Sequence, residues 1–172
     1  MIRLAVALDR NRVVSAAPGS EPGAAQHPAA LAGVMERLYA SDNVVVGAAS
    51  LSERFGAGAY RTCYVLTRDP EYVPPMGLSA VVPVHDVMDL VHRYADSDDE
   101  LLVAGGPTAW RLFTTYARRV DVAEIDDPVD GDLAYDDFEN GDFVLVGEES
   151  WDGGRTLRYE RAHLNAEPHP PA

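Results

Sequence analysis

Leu101-Leu102-Val103-Ala104-Gly105-Gly106-Pro107-Thr108-Ala109-Trp110 is the stretch on which the fold turns. Its continuous apolar run reads as a strand buried on both faces, which leads into paired glycines. Proline in the first helical turn then starts a helix running to about Tyr116. The glycines let a ligand approach the backbone, and the helix start offers free N–H groups to an anion such as phosphate. A plain strand-to-helix turn with no ligand has the same sequence. The spacing is not the GxGxxG fingerprint, so a Rossmann reading is weak.

Working outward, the same order recurs at Asn43-Val44-Val45-Val46-Gly47, followed by Ala48-Ala49-Ser50. Two such junctions can lie side by side at the carboxyl ends of strands, where open α/β sheets bind nucleotides. Further strands are expected at 2–8, 13–14, 62–67, 79–83 and 120–125. A closing antiparallel pair, 143–146 with 156–160, surrounds the turn Asp152-Gly153-Gly154. Pro28 opens a helix over 29–39 with Leu31, Val34, Met35 and Leu38 on one face. A brief helix is expected at 51–55 and another at 85–94. Strands alternating with helices imply an α/β fold around a mostly parallel sheet. Residues 15–27 form a long Pro- and Gly-containing loop of the kind that often carries function. The domain spans 1–162, and the Pro-rich tail 163–172 is expected to be disordered.

The chain has 172 residues, with 28 Asp plus Glu against 14 basic residues, a net charge of −14. All the basic residues are arginine. Such a charge opposes binding to nucleic acid or to anionic membranes. No apolar run is long enough to span a bilayer, and the short alternating N-terminus is a poor signal peptide. The reading is a cytoplasmic protein, its acidity reflecting GC-rich codon usage, a salt-rich cytoplasm, or both. Cys63 stands alone in an apolar strand and reads as a core residue. The histidines show no metal-ligand spacing, and Asp126 to Asp137 reads as a solvated acidic face, so no metal is expected. Arg61 and Arg68 bracket one strand, where either can hold a carboxylate or phosphate.

Together these motifs resemble the dihydrofolate reductase family over roughly residues 1–160. The resemblance rests on Ile2–Leu8 with Asn11-Arg12-Val13-Val14, on Asn43–Gly47, on Val103-Ala104-Gly105-Gly106, and on Val120–Asp126 with Asp130-Gly131-Asp132. It implies an eight-stranded, mostly parallel sheet with an antiparallel C-terminal edge, flanked by four helices. It also implies a central cleft where NADPH meets a pterin or folate, in a monomer or homodimer. By the same resemblance Ala7 and Val14 fall at the nicotinamide, Gly47, Gly105 and Gly106 at the cofactor phosphates, and Ser50 among the cofactor-binding residues. Thr67 and Arg68 fall near the adenosine end, Leu31 and Val34 in the pterin pocket, and Arg61 near the folate α-carboxylate.

The chain also departs from that pattern. Aligning His27-Pro28-Ala29-Ala30-Leu31 on the family's helix start puts Ala30 where the family carries an acid that supports pterin protonation. The family's tryptophan is missing from residues 15–27. Its Gly-Arg-x-Thr becomes Gly47-Ala48-Ala49-Ser50, and its threonine on the strand before Glu124 becomes Ala123. Glu21 and His27 are the candidate substitute acids. Three readings follow: a reductase of dihydrofolate or a related pterin, a riboflavin-pathway-type pyrimidine reductase, and a non-catalytic ligand-binding homologue. Gly105-Gly106-Pro107 and the missing acid suit the second; Arg61 and Asp130-Gly131-Asp132 suit the first.

Overall fold

β1 (Ile2–Asp9) lies near the middle of the sheet, and its alternation sorts the molecule into two unequal layers. The computed structural model describes residues 1–15, 27–48, 61–74 and 81–162. After β1 come β2 (Val13–Ser15), α1 (Pro28–Ala40), β3 (Asn43–Gly47), β4 (Thr62–Leu66), β5 (Val81–Val84) and α2 (Val87–Tyr94). Then follow β6 (Leu101–Val103), α3 (Pro107–Thr114), β7 (Arg119–Ile125), β8 (Leu133–Ala134), a 3₁₀ turn at Asp137–Glu139, β9 (Phe143–Trp151) and β10 (Gly154–Arg161). The main sheet has eight strands in the order β5-β4-β3-β6-β1-β7-β10-β9. The first six run parallel, and β10 pairs antiparallel with both β7 and β9.

One face of β1 carries Ile2, Leu4, Val6 and Leu8, which join Trp110 and Phe113 of α3 and Leu90 and Val91 of α2 in the larger core cluster. The other face carries Ala5 and Ala7, which join Val44, Val46, Leu102, Ala123 and Ala30 of α1. Small side chains on this face let α1 approach the sheet closely over β1 and β7. The expected α/β fold with an antiparallel C-terminal edge is present.

Three helices, rather than the expected four, occur among the described residues. The brief helix at 51–55, the loop at 16–26 and the tail at 163–172 lie outside them. α2 begins at Val87 instead of 85 because Asp86 caps it, accepting a 2.9 Å bond from the Met88 N–H. β9 and β10 are longer than expected, because Gly147 to Trp151 continue the pairing through a largely exposed, polar stretch. β8 was not expected; it pairs with β2 and ties the acidic segment back to the start of the chain.

Two buried carboxylates organise the turn after β1. Asp9 accepts from the backbone N–H groups of Asn11, Val13 and Val129, at 2.8, 2.8 and 2.9 Å. Arg12, at φ 67°, holds a conformation that non-glycine residues rarely adopt. Its guanidinium is fixed by Glu139 and by Glu124, the latter at 2.5 Å, while Arg155 reaches the other Glu124 oxygen at 2.6 Å. Burial raises the Glu124 pKa, but the hydrogen bonds from Arg155 and Arg12 outweigh it and hold the carboxyl below its ordinary value. A carboxyl so depressed adds stability above its unfolded pKa, and that stability is lost as pH falls through the folded value. Glu124→Ala should therefore cost about 3 kcal/mol near neutral pH, because it strands two arginines around a buried site. The deficit should shrink in denaturant melts taken below about pH 4. A deficit independent of pH would show that packing, not the ion pair, carries the effect.

Candidate functional site at the carboxyl ends of the strands

β3 and β6 end side by side, and each runs into glycine. The Ala104 N–H donates to the Val45 carbonyl at 3.0 Å, which brings Gly105 against Gly47. A Cβ on Gly105 would stand 2.7 Å from the Ala109 Cβ and 3.3 Å from the Gly47 nitrogen, so only glycine lets α3 sit this close to β3. Gly106 is different. Its backbone is extended and a Cβ there would meet nothing within 4 Å among the described residues, so they do not demand glycine. What Gly106 leaves is open space over the start of α3, where no side chain caps the helix and Pro107 has no N–H. The exposed N–H groups and the helix dipole favour an anion there.

Thr67 and Arg68 follow β4 on the same side of the sheet. The Thr67 N–H donates to the Val84 carbonyl at 3.1 Å, and its hydroxyl accepts from the Asp69 N–H at 3.1 Å. Arg68 is exposed and has no hydrogen bond or ion pair among the described residues. Ser50 and Glu21 lie outside the described residues.

On the α1 side, Ala7 and Ala123 are direct partners across β1 and β7, and Ala30 from the first turn of α1 packs in the same cluster. Leu31 and Val34 follow on that helix. Val14 is instead fully buried in the larger cluster, apart from Ala7. Arg61 precedes β4 at the opposite end of the strand; it is 78% exposed and only loosely paired with Asp42, at 3.8 Å.

The register adds residues that the sequence reading did not single out. Thr156 of β10 pairs with Ala123, so it stands next to the two alanines on the same face. The Trp151 Nε1–H donates to the Thr156 hydroxyl oxygen at 3.1 Å, and the indole packs against the Ala30 cluster. His27 lies against Trp151, ring centroids 5.8 Å apart, with Nε2 3.9 Å from Asp127. Its Nδ1 is buried and has no hydrogen-bond partner among the described residues. Alternation along 154–161 groups Thr156 with Arg158 and Glu160, opposite Leu157 and Tyr159, so only the β7–β10 pairing brings it beside Ala123.

A family model described as dihydrofolate reductase matches residues 35–165. The chain belongs to the dihydrofolate reductase family. The matched part begins after Ala30, so it does not include the helix start at which Ala30 is expected to replace the family's acid. Among solved structures, a dihydrofolate reductase from Enterococcus faecalis, complexed with NADP(H) and RAB-propyl, superposes with a TM-score of 0.73 at 18% identity. It covers 94% of this chain and 96% of its own, which extends the shared fold across the first strand and α1. No curated protein matches the chain. Among the described residues, no helix is long and apolar enough to cross a membrane. No group of three or more His, Cys, Asp or Glu side chains among them could hold a metal ion.

Proposed function

We propose that this protein is an NADPH-dependent reductase of dihydrofolate or a related pterin, working without a carboxylate at the family's acid position. The observation that carries the reading is the pair of glycine junctions, Gly47 and Gly105-Gly106, opening beside Ala7. Family membership and the superposed NADP(H)-bound reductase support it. The open, uncapped start of α3 suits the phosphates of a dinucleotide. When bound, NADPH supplies the hydride. Gly105 and Gly106 would hold its phosphates, Arg68 its adenosine end and Ala7 its nicotinamide.

On the substrate side, the small, buried residues Ala7, Ala30 and Ala123 would form the apolar wall against which a ring lies. Thr156 would position that ring. Trp151 fills one of its lone pairs, so the hydroxyl hydrogen is left to donate to a ring heteroatom. His27 would hold the proton, since its buried Nδ1 lacks a partner among the described residues and Asp127 faces its other nitrogen. Glu21 is the competing proton source. Leu31, Val34 and Arg61 would receive the rest of the substrate. A second reading, reduction of a ribosylated pyrimidine, is favoured by Gly105-Gly106-Pro107 and by Ala30.

The test is NADPH consumption with dihydrofolate, at low and at multimolar salt. Turnover is expected, slow beside an acid-bearing family member. His27→Gln should lower the rate about 10²-fold, the low end of general-acid contributions, while Glu21→Gln leaves it unchanged. The reverse pattern would move the proton to Glu21. No turnover despite NADPH quenching of Trp110, which lies in the first turn of α3, would leave a binding protein only.

A further inference from the structure

Asp121 stands near the start of β7, buried beneath α1 and away from the cleft. Arginines from four elements converge on it. Arg3 of β1 donates its Nε–H to Oδ2, and Arg37 of α1 brings Nε to 3.9 Å from the same oxygen. Arg119 of β7 and Arg158 of β10 bring Nε to 3.4 and 3.7 Å from Oδ1. Among the described residues, only Arg3 hydrogen-bonds the carboxylate. The Asp121 Oδ1 and the Arg119 Nε are buried with no hydrogen-bond partner among the described residues.

The outward ends of these arginines are largely unspent. Arg3 Nη1 reaches Glu100 at 3.5 Å, and Arg37 Nη1 donates to the Gly33 carbonyl at 3.0 Å. Arg119 and Arg158 make no hydrogen bond among the described residues. Because they approach Asp121 through Nε, their paired Nη groups remain for another acceptor. With Asp121, three more acids stand near the group, but only Glu100 forms an ion pair with one of these arginines, Arg3, among the described residues; Glu160 lies opposite Arg119 in the β7–β10 register, and Glu36 acts on Arg37 from the exposed side of α1. Burial, and then the charges of Arg3 and Arg158, hold the Arg37 pKa below its ordinary value in spite of Asp121.

We propose that Arg37, Arg119 and Arg158 form an oxyanion site, oriented by Asp121, that takes a phosphoryl or sulfate group. Guanidinium forks set at different angles suit an anion with several oxygens. The side chains are 21%, 24% and 49% exposed respectively, so the site is open from the β10 side. It is separate from the cleft. Arg37 lies seven residues beyond Ala30 on α1, about 10 Å along a helix axis. Arg61, beside β4, is separated from β10 by β3, β6, β1 and β7. In a chain of charge −14 that repels anions at long range, this is where four of the 14 arginines gather.

The experiment follows the arginine Nε–H resonances by NMR, with phosphate added at constant ionic strength set by sodium chloride. Saturable shifts confined to Arg37, Arg119 and Arg158 are expected. The double variant Arg119→Gln/Arg158→Gln should weaken the affinity at least tenfold while keeping the backbone amide spectrum. Single Arg158→Gln, at the most exposed position, gives the same test if the double variant unfolds. Parallel titrations with inorganic phosphate and with glycerol phosphate separate a free ion from a phosphorylated ligand, and saturation by either one establishes the site. Equal, unsaturated drift of all the arginine resonances, or an affinity unchanged in the variants, would overturn it. The readout is at named side chains, so it does not depend on whether the cleft binds NADPH.

Discussion

Ala30→Asp should raise the rate of dihydrofolate reduction about 10²-fold or more per folded molecule, the usual scale of a positioned proton donor. Residue 30 is in the first turn of α1, buried beside Ala7 and Ala123. A carboxyl group there would face the same wall as Thr156 and could hydrogen-bond the ring that lies against it. The substitution has a cost, because a carboxylate is taken out of water in an apolar cluster. Its place near the helix N-terminus offsets part of that cost. The variant should therefore melt earlier yet turn over faster. Adding Ala123→Thr, next to both, should raise the rate further. The measurements are kcat/KM and a thermal melt on the same preparations. A folded, NADPH-binding variant with an unchanged rate would mean that no pterin ring lies against residue 30, and the pyrimidine reading would gain.

Gly105 and Gly106 should respond oppositely to substitution. Gly105→Ala forces a methyl against Ala109 and Gly47, so it should destabilise the fold by about 1–3 kcal/mol, as overpacking does. Cofactor binding should weaken with it, since the β3 and β6 ends would be pushed apart. A Cβ at Gly106 meets nothing within 4 Å among the described residues, and the backbone there is extended, so Gly106→Val should be accommodated. It should leave the melting temperature within a few degrees of the parent while lowering NADPH affinity more than tenfold, by filling the space over the helix start. Denaturant melts paired with NADPH titrations separate the two effects. A Gly106→Val protein that binds NADPH normally would remove the phosphates from this junction.

The parallel strands were legible because each is a short, continuous apolar run, as burial on both faces requires. Leu101-Leu102-Val103 and Val44-Val45-Val46 declare themselves this way, and the glycines after them mark the cleft. The second half of β9 was not legible. Glu148, Glu149 and Ser150 are exposed on an edge strand, and their polarity is that of a loop. β8 is two residues long and exists only through its pairing with β2. Within the proposed site, the assignment of Ala30 to the family's acid position came from the resemblance at one helix start. Its surroundings could not be read in this way: Thr156 meets Ala123 through strand pairing, and His27 meets Trp151 across about 120 residues of chain. The charge count marked Arg61 and Arg68 for ligands. It did not reveal Asp121: alternation in Arg119-Val120-Asp121-Val122 sets the carboxylate on the polar face opposite the valines, and only the packing of α1 over that face buries it among arginines from four elements.

The central claim is hydride transfer in a dihydrofolate reductase fold whose acid position is alanine. Its most direct measurement is a single turnover with NADPH deuterated at the transferable position of the nicotinamide, mixed with dihydrofolate and analysed by mass spectrometry. Deuterium should appear in tetrahydrofolate, slowly in this protein and faster in Ala30→Asp. Bound NADPH with no deuterium in the product, in both proteins, would contradict the account.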